Sequence, residues 1–525
     1  MSESIHQDSK LGVVAAGDRQ SAEAGVEILK AGGNAADAAV AAGLAACVCE
    51  IALCGPIGGG VAVSQFGHET PTAWDFFARV PGLGHTLDER LEFGKAVIDF
   101  GVTQQTFQVG RGAASLGLAL PGMLALHQRH GRLPLREVVK PAVELGRAGY
   151  LVGEQMAYIL SLIEPIFKWT PASYALCFPD QSPPHQGTRL YNPHLADVFE
   201  VIGRSPRDVR GLYEQFAREF GPDQGGLITS RDIQDLSVRA LKPIEFGWHD
   251  WTLASMPSPS SGGVLIGIGA RLLGSLSQRA AFGTLSHYES IAQVQRTLLE
   301  IRTDDFDERI ESEAYVQRLL TEMSVQDLRN LSSKRVGDNY LGSTTQISAM
   351  DGAGDVVSMT LTNGEGCGCV LDGCGIQVNN LLGEEDINPK GFHQAEAGSF
   401  MQTMMAPTIG HSGNRRIALG SGGSNRLRNA ILTTLLNVIE YEMPLDEAVH
   451  QPRLHVDRSS HGVGVNIECE GIPEALPNRL QQSFDEVTAF DSFNMFFGGV
   501  HAVESINGVF SGVGDKRRGG EFVLA

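Results

Sequence analysis

From residue 18 to residue 49, apolar side chains recur at helical spacing on both sides of Gly32-Gly33-Asn34. The pattern predicts one helix, a stop at the glycine pair, and a second helix capped by Asn34. That second helix is apolar on every side, so it has to be covered all round, which favours a layered architecture. A glycine-rich stretch, Gly55-Pro56-Ile57-Gly58-Gly59-Gly60, leads into a strand-like run from Val61 to Phe66. Residues 121–150 and 286–334 return to a helical period, the latter carrying acidic and basic residues as a solvated face does. From about Leu341 short alternating segments take over. Thr345 to Met350 and Val356 to Thr362 read as the strands of a β-hairpin, with Asp351-Gly352-Ala353-Gly354-Asp355 as its turn. Neither an internal repeat nor a Pro/Ser-rich linker divides the chain.

Length leaves the domain count open, since 525 residues fit two or three ordinary domains or one large layered one. With 42% hydrophobic and 19% charged residues the composition is that of a soluble globular protein, and disorder is expected only over the first ten residues. A net charge of −20, with no basic run longer than Lys516-Arg517-Arg518, argues against nucleic acids and anionic membranes as partners. The amino terminus lacks a signal-peptide core and no segment approaches the roughly 20 apolar residues of a membrane span, so a cytoplasmic protein is expected. The eight cysteines are expected to be reduced core thiols. Cys367, Cys369 and Cys374 lack a matching His or Cys pair at zinc-ligand distance, and Gly55 to Gly60 lacks the Lys-Ser/Thr of a phosphate loop. Neither a metal nor another cofactor is expected.

Chemistry concentrates at the start of the hairpin. A hydroxyl at the head of a strand, preceded by Gly342-Ser343, is placed to attack the carbonyl of Ser343 and cut the chain before Thr344. The freed α-amine, with an ordinary pKa of about 7.7 to 8.0, then lies beside the hydroxyl and can serve as its general base. Taken alone, threonines ahead of a strand signify only β-propensity. Their surroundings change the reading. Thr344-Thr345-Gln346-Ile347-Ser348 through Asp351, followed by Val357 to Thr362, resembles the nucleophile hairpin of the γ-glutamyltransferase family. So do Gly32-Gly33-Asn34-Ala35-Ala36-Asp37-Ala38, Ser260-Ser261-Gly262-Gly263, Asn379-Asn380, Gly420-Ser421-Gly422-Gly423-Ser424, Pro452-Arg453 and Gly514-Asp515 with Arg517-Arg518-Gly519-Gly520, in family order from about residue 12 to the end.

The resemblance implies an N-terminal-nucleophile hydrolase, an α+β protein built as a four-layer αββα sandwich. It implies a precursor cleaved into a large subunit, residues 1–343, and a small one, residues 344–525, folded together as one unit. Thr344 is then the nucleophile, Thr362 the threonine that positions it, and Gly422 and Gly423 the backbone donors of the oxyanion hole, where the lack of side chains permits close approach. At the substrate-binding positions the chain departs from the family. Phe77 aligns with its carboxylate-binding arginine, and Arg79, on the same face two residues along a strand, is the candidate substitute. Glu384 matches the amine-binding aspartate, with Glu385 as a rival. Gly364 falls on the asparagine position beside Asn363, Thr403-Met404 replaces Ser-Ser, and Thr344-Thr345-Gln346 replaces Thr-Thr-His.

The expected activity is acyl transfer or hydrolysis of a γ-glutamyl-type amide through an acyl-threonine, with a small-molecule acyl donor and water or an amine as acceptor. The departures open a second expectation, a relative recruited to a biosynthetic pathway that hydrolyses a non-glutamyl amide or a carbon-carbon bond. A non-catalytic binding relative is a third, opposed by the intact Thr344, Thr362 and Gly422-Gly423.

Overall fold

The computed structural model describes residues 11–86, 90–99, 104–276, 280–303, 305–329, 343–388, 390–459 and 462–525. Gly342, to which the sequence assigns the bend before the scissile bond, and the first ten residues lie outside them, as does the end of the 286–334 segment. Near the amino terminus the capping signals act as expected. Helices Arg19–Lys30 and Ala35–Cys49 flank the glycine pair, and Asn34 accepts the N–H groups of Ala36 and Asp37 while the Asp37 carboxylate accepts that of Asn34. Every residue of Ala35–Cys49 is buried. A seven-stranded sheet covers one side of this helix, and helices Arg19–Lys30, Ala119–His130 and Lys140–Ala148 pack around the rest.

That sheet runs, edge to edge, Arg239–Leu241, Thr72–Phe76, Gly59–Gln65, Val356–Thr362, Thr345–Asp351, Gly12–Ala16 and Glu521–Leu524, with every neighbouring pair antiparallel. Strands from both sides of Ser343 pair within it, so the two halves of the chain share one sheet. The predicted hairpin sits near its centre, in a register that pairs Thr345 with Leu361. The second sheet has six antiparallel strands in the order Ile244–Trp248, Trp251–Ser255, Thr408–Ser412, Arg415–Gly422, Gly499–Ile506 and Val509–Val513.

Strand alternation divides the core in two. Ile347, Ala349, Val357, Met359 and Leu361 face the helices, whereas Val13, Val61, Val63 and Val356 face Ala418, Leu419 and Val503 of the second sheet. Helices Ser261–Gly274 and Leu427–Ile439 pack together in that second core and complete the helix-sheet-sheet-helix order. Polar pins cross between the sheets: Ser348 Oγ donates to the His501 carbonyl at 3.0 Å and Ser358 Oγ to the Leu419 carbonyl at 2.8 Å. Gln346 donates to both serine hydroxyls and accepts from Thr360 Oγ1 at 2.6 Å. A side chain at Gly420 would meet Gln346 Oε1 at 2.1 Å, so the residue that departs from Thr-Thr-His fills a slot cut for it between the sheets.

Two expectations change. The strand carrying Phe76 ends there, and Ala78–Arg79 pairs instead with Leu116–Gly117 in a separate two-stranded ribbon, so Phe77 and Arg79 do not line one strand face. The 286–334 pattern becomes one helix, Leu285–Ile301, followed by short pieces such as Phe306–Arg309 and Glu313–Gln317. All eight cysteines are free thiols, and among the described residues no helix is long and apolar enough to cross a membrane.

Candidate active site

Strand pairing carries Thr344 to the end of the hairpin, one residue before its register begins, and sets it beside Thr362, the last residue of the returning strand. Both are buried. Thr344 Oγ1 donates to Thr362 Oγ1 at 3.3 Å, and Thr362 Oγ1 donates to the carbonyl oxygen of Ser343 at 2.6 Å while accepting the Gly364 N–H at 3.1 Å. The single hydroxyl of Thr362 thus uses its one proton and both lone pairs. With the Ser343–Thr344 peptide intact, it touches both the carbonyl oxygen before Thr344 and the Thr344 hydroxyl. On the other side of the bond, the Ser343 N–H donates to Glu365 Oε1 at 3.1 Å, and the Glu365 N–H donates to Asn380 Oδ1 at 2.9 Å.

Gly422 closes the site from the second sheet. It ends strand Arg415–Gly422, and a Cβ there would stand 2.2 Å from the Thr344 carbonyl oxygen, so only glycine permits this approach. Gly423 follows with φ +120°, a conformation side chains rarely adopt. The chain then enters helix Leu427–Ile439, whose N-terminal end brings a partial positive charge to the same corner. Gly422 therefore lies against Thr344, and Gly423, next along, packs against Gly498 and Arg518.

The substrate-side residues divide. Glu384 Oε1 is buried without a hydrogen-bond partner, and a side chain at Gly364, which has φ +60°, would meet it at 2.3 Å. Burial, Glu365 and Asp386 together hold the Glu384 carboxyl well above the usual carboxylate range. Glu385 is exposed, so of the two rivals Glu384 adjoins the site. Asn363 is buried but donates to the Gln377 carbonyl at 3.1 Å and packs against Gly55 and Gly58. Thr403 uses its hydroxyl within its own turn, accepting the Met405 N–H at 3.1 Å next to Ser260. Arg79 is committed elsewhere: Nη1 donates to the Asp235 carbonyl at 2.9 Å and its carboxylate at 3.2 Å, and Nη2 to the Ser237 carbonyl at 2.7 Å. Its guanidinium also lies 4.8 Å from the centre of the Phe400 ring. Only Nε has no partner, whereas a forked grip on a carboxylate takes two nitrogens.

Sequence reasoning does not single out Glu365, Asp386, Arg426 or Arg518, although all four gather around this corner. Burial and Asp386 push Glu365 upward, and Asp386 accepts Ser424 Oγ at 2.6 Å. Glycines on both sides of Glu365 and the Arg517-Arg518-Gly519-Gly520 run are the only traces of them in the sequence. The buried histidines stay neutral at physiological pH. Burial lowers His501 to about 4, and its Nδ1 accepts the Asp515 N–H; burial and the nearby Arg426 and Arg428 hold His455 well below the usual imidazole range. The hydroxyl of Thr344 is oriented by another threonine, Thr362.

Comparison with known proteins bears on the family and the fold. The profile of the family described as Gamma-glutamyltranspeptidase matches residues 21–525. Among curated proteins, the glutathione hydrolase proenzyme of Pseudomonas aeruginosa is 27% identical over 477 residues, covering 85% of this chain and 82% of the relative. The acylase ACY 1 proenzyme of Pseudomonas sp. (strain SE83) is 28% identical over 490 residues, covering 89% and 86%. Among solved structures, the cephalosporin acylase from Bacillus halodurans superposes with a TM-score of 0.82 at 19% identity, over 98% of this chain and 96% of that one.

Proposed function

This chain belongs to the gamma-glutamyltranspeptidase family, and from that premise we propose that it is a proenzyme that cleaves its own Ser343–Thr344 bond and then transfers acyl groups from amides through Thr344. The observation that carries the reading is the chain of hydrogen bonds from Thr344 Oγ1 to Thr362 Oγ1 to the Ser343 carbonyl, with Gly422 pressed against Thr344. In the first step Thr344 Oγ adds to the Ser343 carbonyl carbon as its proton passes to Thr362 Oγ1 and the Thr362 proton passes to the carbonyl oxygen. Collapse breaks the C–N bond, the nitrogen takes up a proton, and an ester of Ser343 on Thr344 Oγ remains. Water hydrolyses the ester, leaving a Ser343 carboxylate and a free Thr344 amine.

In turnover that amine acts as the base for the adjacent hydroxyl. The hydroxyl adds to the substrate amide, and the N–H groups of Gly422 and Gly423 face the developing oxyanion. The leaving amine departs with a proton, and water or an acceptor amine releases the acyl group from Thr344. Residues 1–343 and 344–525 are the two resulting subunits. The glutathione hydrolase and acylase names of the relatives support an amide donor. Glu384, with its Oε1 buried beside Gly364, is our candidate for contact with the donor's amine end.

A second reading, hydrolysis of a non-glutamyl substrate, is favoured by one observation: Phe77 stands where the family has its arginine, and Arg79 is bound to Asp235 and Ser237. Two measurements test the proposal. Sequencing of the smaller fragment should begin at Thr344, and Thr344→Ala should remain a single chain. Turnover of a γ-glutamyl anilide by the processed protein supports the glutamyl reading; turnover restricted to other acyl anilides supports the second. Cleavage of Thr344→Ala at the normal rate sinks both.

A further inference from the structure

The strand that follows Thr344 is fastened differently on its two edges. Toward strand Val356–Thr362 the pairing runs to its start, with Thr345 opposite Leu361. Toward strand Gly12–Ala16 the ladder stops at Ser348, opposite Ala15. Beyond that point Thr345 meets Gly17 and a side chain. Its Oγ1 donates to Glu50 Oε2, while the second carboxyl oxygen, Oε1, accepts Ser21 Oγ at 2.7 Å. Glu50 and Thr345 are each 1% exposed. Gly17 closes the slot they share, since a Cβ there would stand 2.3 Å from Glu50 Oε2 and 2.4 Å from Thr345 Oγ1.

The backbone around Glu50 is itself fixed. Glu50 directly follows helix Ala35–Cys49; its N–H donates to the Ala46 carbonyl, and its own carbonyl accepts the N–H groups of Leu53 at 2.7 Å and Cys54 at 3.1 Å. That helix is buried along its whole length and packs on the hairpin. Buried carboxyl oxygens need donors, and here each of the two has one. The contact also joins residues on opposite sides of the Ser343–Thr344 bond, 295 positions apart in the chain.

Whether that bond is intact decides how much the contact matters. In the uncut chain Thr344 is held through both neighbours: Ser343 by its N–H to Glu365 and its carbonyl to Thr362, and Thr345 by Glu50. Cleavage removes the first restraint and makes Thr344 a chain terminus, and termini stay ordered only where they are tied down. Thr344 Oγ1 then has to keep its place 3.3 Å from Thr362 Oγ1 at the end of a strand whose next residue is anchored by Glu50. Misplacing a reacting group by about 1 Å costs roughly a hundredfold in rate.

We propose that Glu50 is a positioning residue for acyl transfer: through the Thr345 hydroxyl it fixes the new amino terminus, so that turnover by the mature enzyme depends on it more than self-cleavage does. The inference rests on Thr344 as the freed nucleophile. Glu50 acts through Thr345 and does not itself react.

Two variants test the proposal: Thr345→Val, which keeps the branched shape and removes the hydroxyl, and Glu50→Asp, which keeps the carboxyl and withdraws it by one carbon. Self-cleavage of each precursor, followed on denaturing gels, should stay within about threefold of the unmutated rate, whereas kcat of the processed variants on an acyl anilide should fall at least about tenfold with KM within about twofold. The double variant should be no worse than the poorer single one, because both remove the same contact. Thr345→Ser, which restores the hydroxyl, should recover kcat. Hydrogen exchange across residues 345–350 needs no substrate: it should quicken in processed Thr345→Val and not in Thr345→Val combined with Thr344→Ala, which stays uncut. Should the unmutated protein turn over no anilide, this comparison decides. An unchanged kcat, a loss confined to KM, equal slowing of cleavage and turnover, a serine variant as poor as the valine one, or losses that multiply in the double variant overturns the proposal. So does exchange that quickens equally in cut and uncut protein. A contact whose loss keeps both variants from folding belongs to the fold, and the proposal falls on that result too. An unmutated small fragment that does not begin at Thr344 sinks the reading on which this inference rests; a fragment that does, without the split between cleavage and turnover, sinks this inference alone.

Discussion

Replacing Thr362 by valine keeps the branched shape and removes one oxygen, and the structure states what that oxygen does. It donates to the Ser343 carbonyl at 2.6 Å and accepts from Thr344 Oγ1 at 3.3 Å and from the Gly364 N–H at 3.1 Å. Loss of a donor aimed at a developing oxyanion costs about 2.7 to 4 kcal/mol, or roughly a hundred- to a thousandfold in rate. The abandoned Gly364 N–H is buried, which adds about 1 to 3 kcal/mol of lost stability. Self-cleavage of Thr362→Val, followed on denaturing gels as the full-length chain converts to two fragments, should therefore slow by about two to three orders of magnitude. Thr362→Ser, which keeps the oxygen and loses only the methyl, should stay within about tenfold of the unmutated rate, one hydrogen bond's net worth. Thermal melting of both precursors separates slow chemistry from poor folding. Cleavage of the valine variant at the unmutated rate, or equal damage from valine and serine, refutes the role assigned to the hydroxyl.

Two further expectations concern residues away from the nucleophile. Arg79→Ala should lower stability by about 1 to 2 kcal/mol, a modest figure because Asp235 is exposed, and should leave anilide turnover by the processed protein intact; loss of turnover without loss of stability in thermal melts would place the donor's carboxylate at this wall. Glu50 is raised to about 7, chiefly by burial and then by Asp18, while it accepts Thr345 Oγ1 and Ser21 Oγ. Because the folded carboxyl keeps a proton that the unfolded one has released, its contribution to stability falls as pH rises from about 4.5 to 7. Glu50→Gln, which cannot release that proton, should flatten this part of the stability-pH curve measured by melting at half-unit steps, and an unchanged slope would contradict the assignment.

Much of the scaffold was legible along the chain because it obeys local rules. The hairpin from Thr345 to Thr362 follows from a period of two interrupted by a glycine-bearing turn, and the observed strands differ from the expected ones by a single residue, Asp351. The buried helix Ala35–Cys49 follows from an apolar run behind an asparagine cap. Thr344, Thr362 and the glycine pair were found through the resemblance. Their meeting is then a consequence of register, since pairing Thr345 with Leu361 leaves Thr344 nowhere but beside Thr362.

Side chains whose partners lie far along the chain were not legible. Arg79 looked available because nothing near it in sequence claims a guanidinium; its acceptors are Asp235 and Ser237, 156 and 158 positions away. Glu365 and Arg518 carried no spacing signal, yet the first accepts the Ser343 N–H and the second stands behind Gly422 and Gly423. Hydrophobic period and capping act over a few residues, so the sequence by itself determined the hairpin, the helices and the strand end where Thr344 sits. Whether a buried polar group is satisfied depends on which distant segment the packing of two sheets brings against it. Only the tertiary structure decided that Arg79 is occupied and that Arg518, among the described residues, is not.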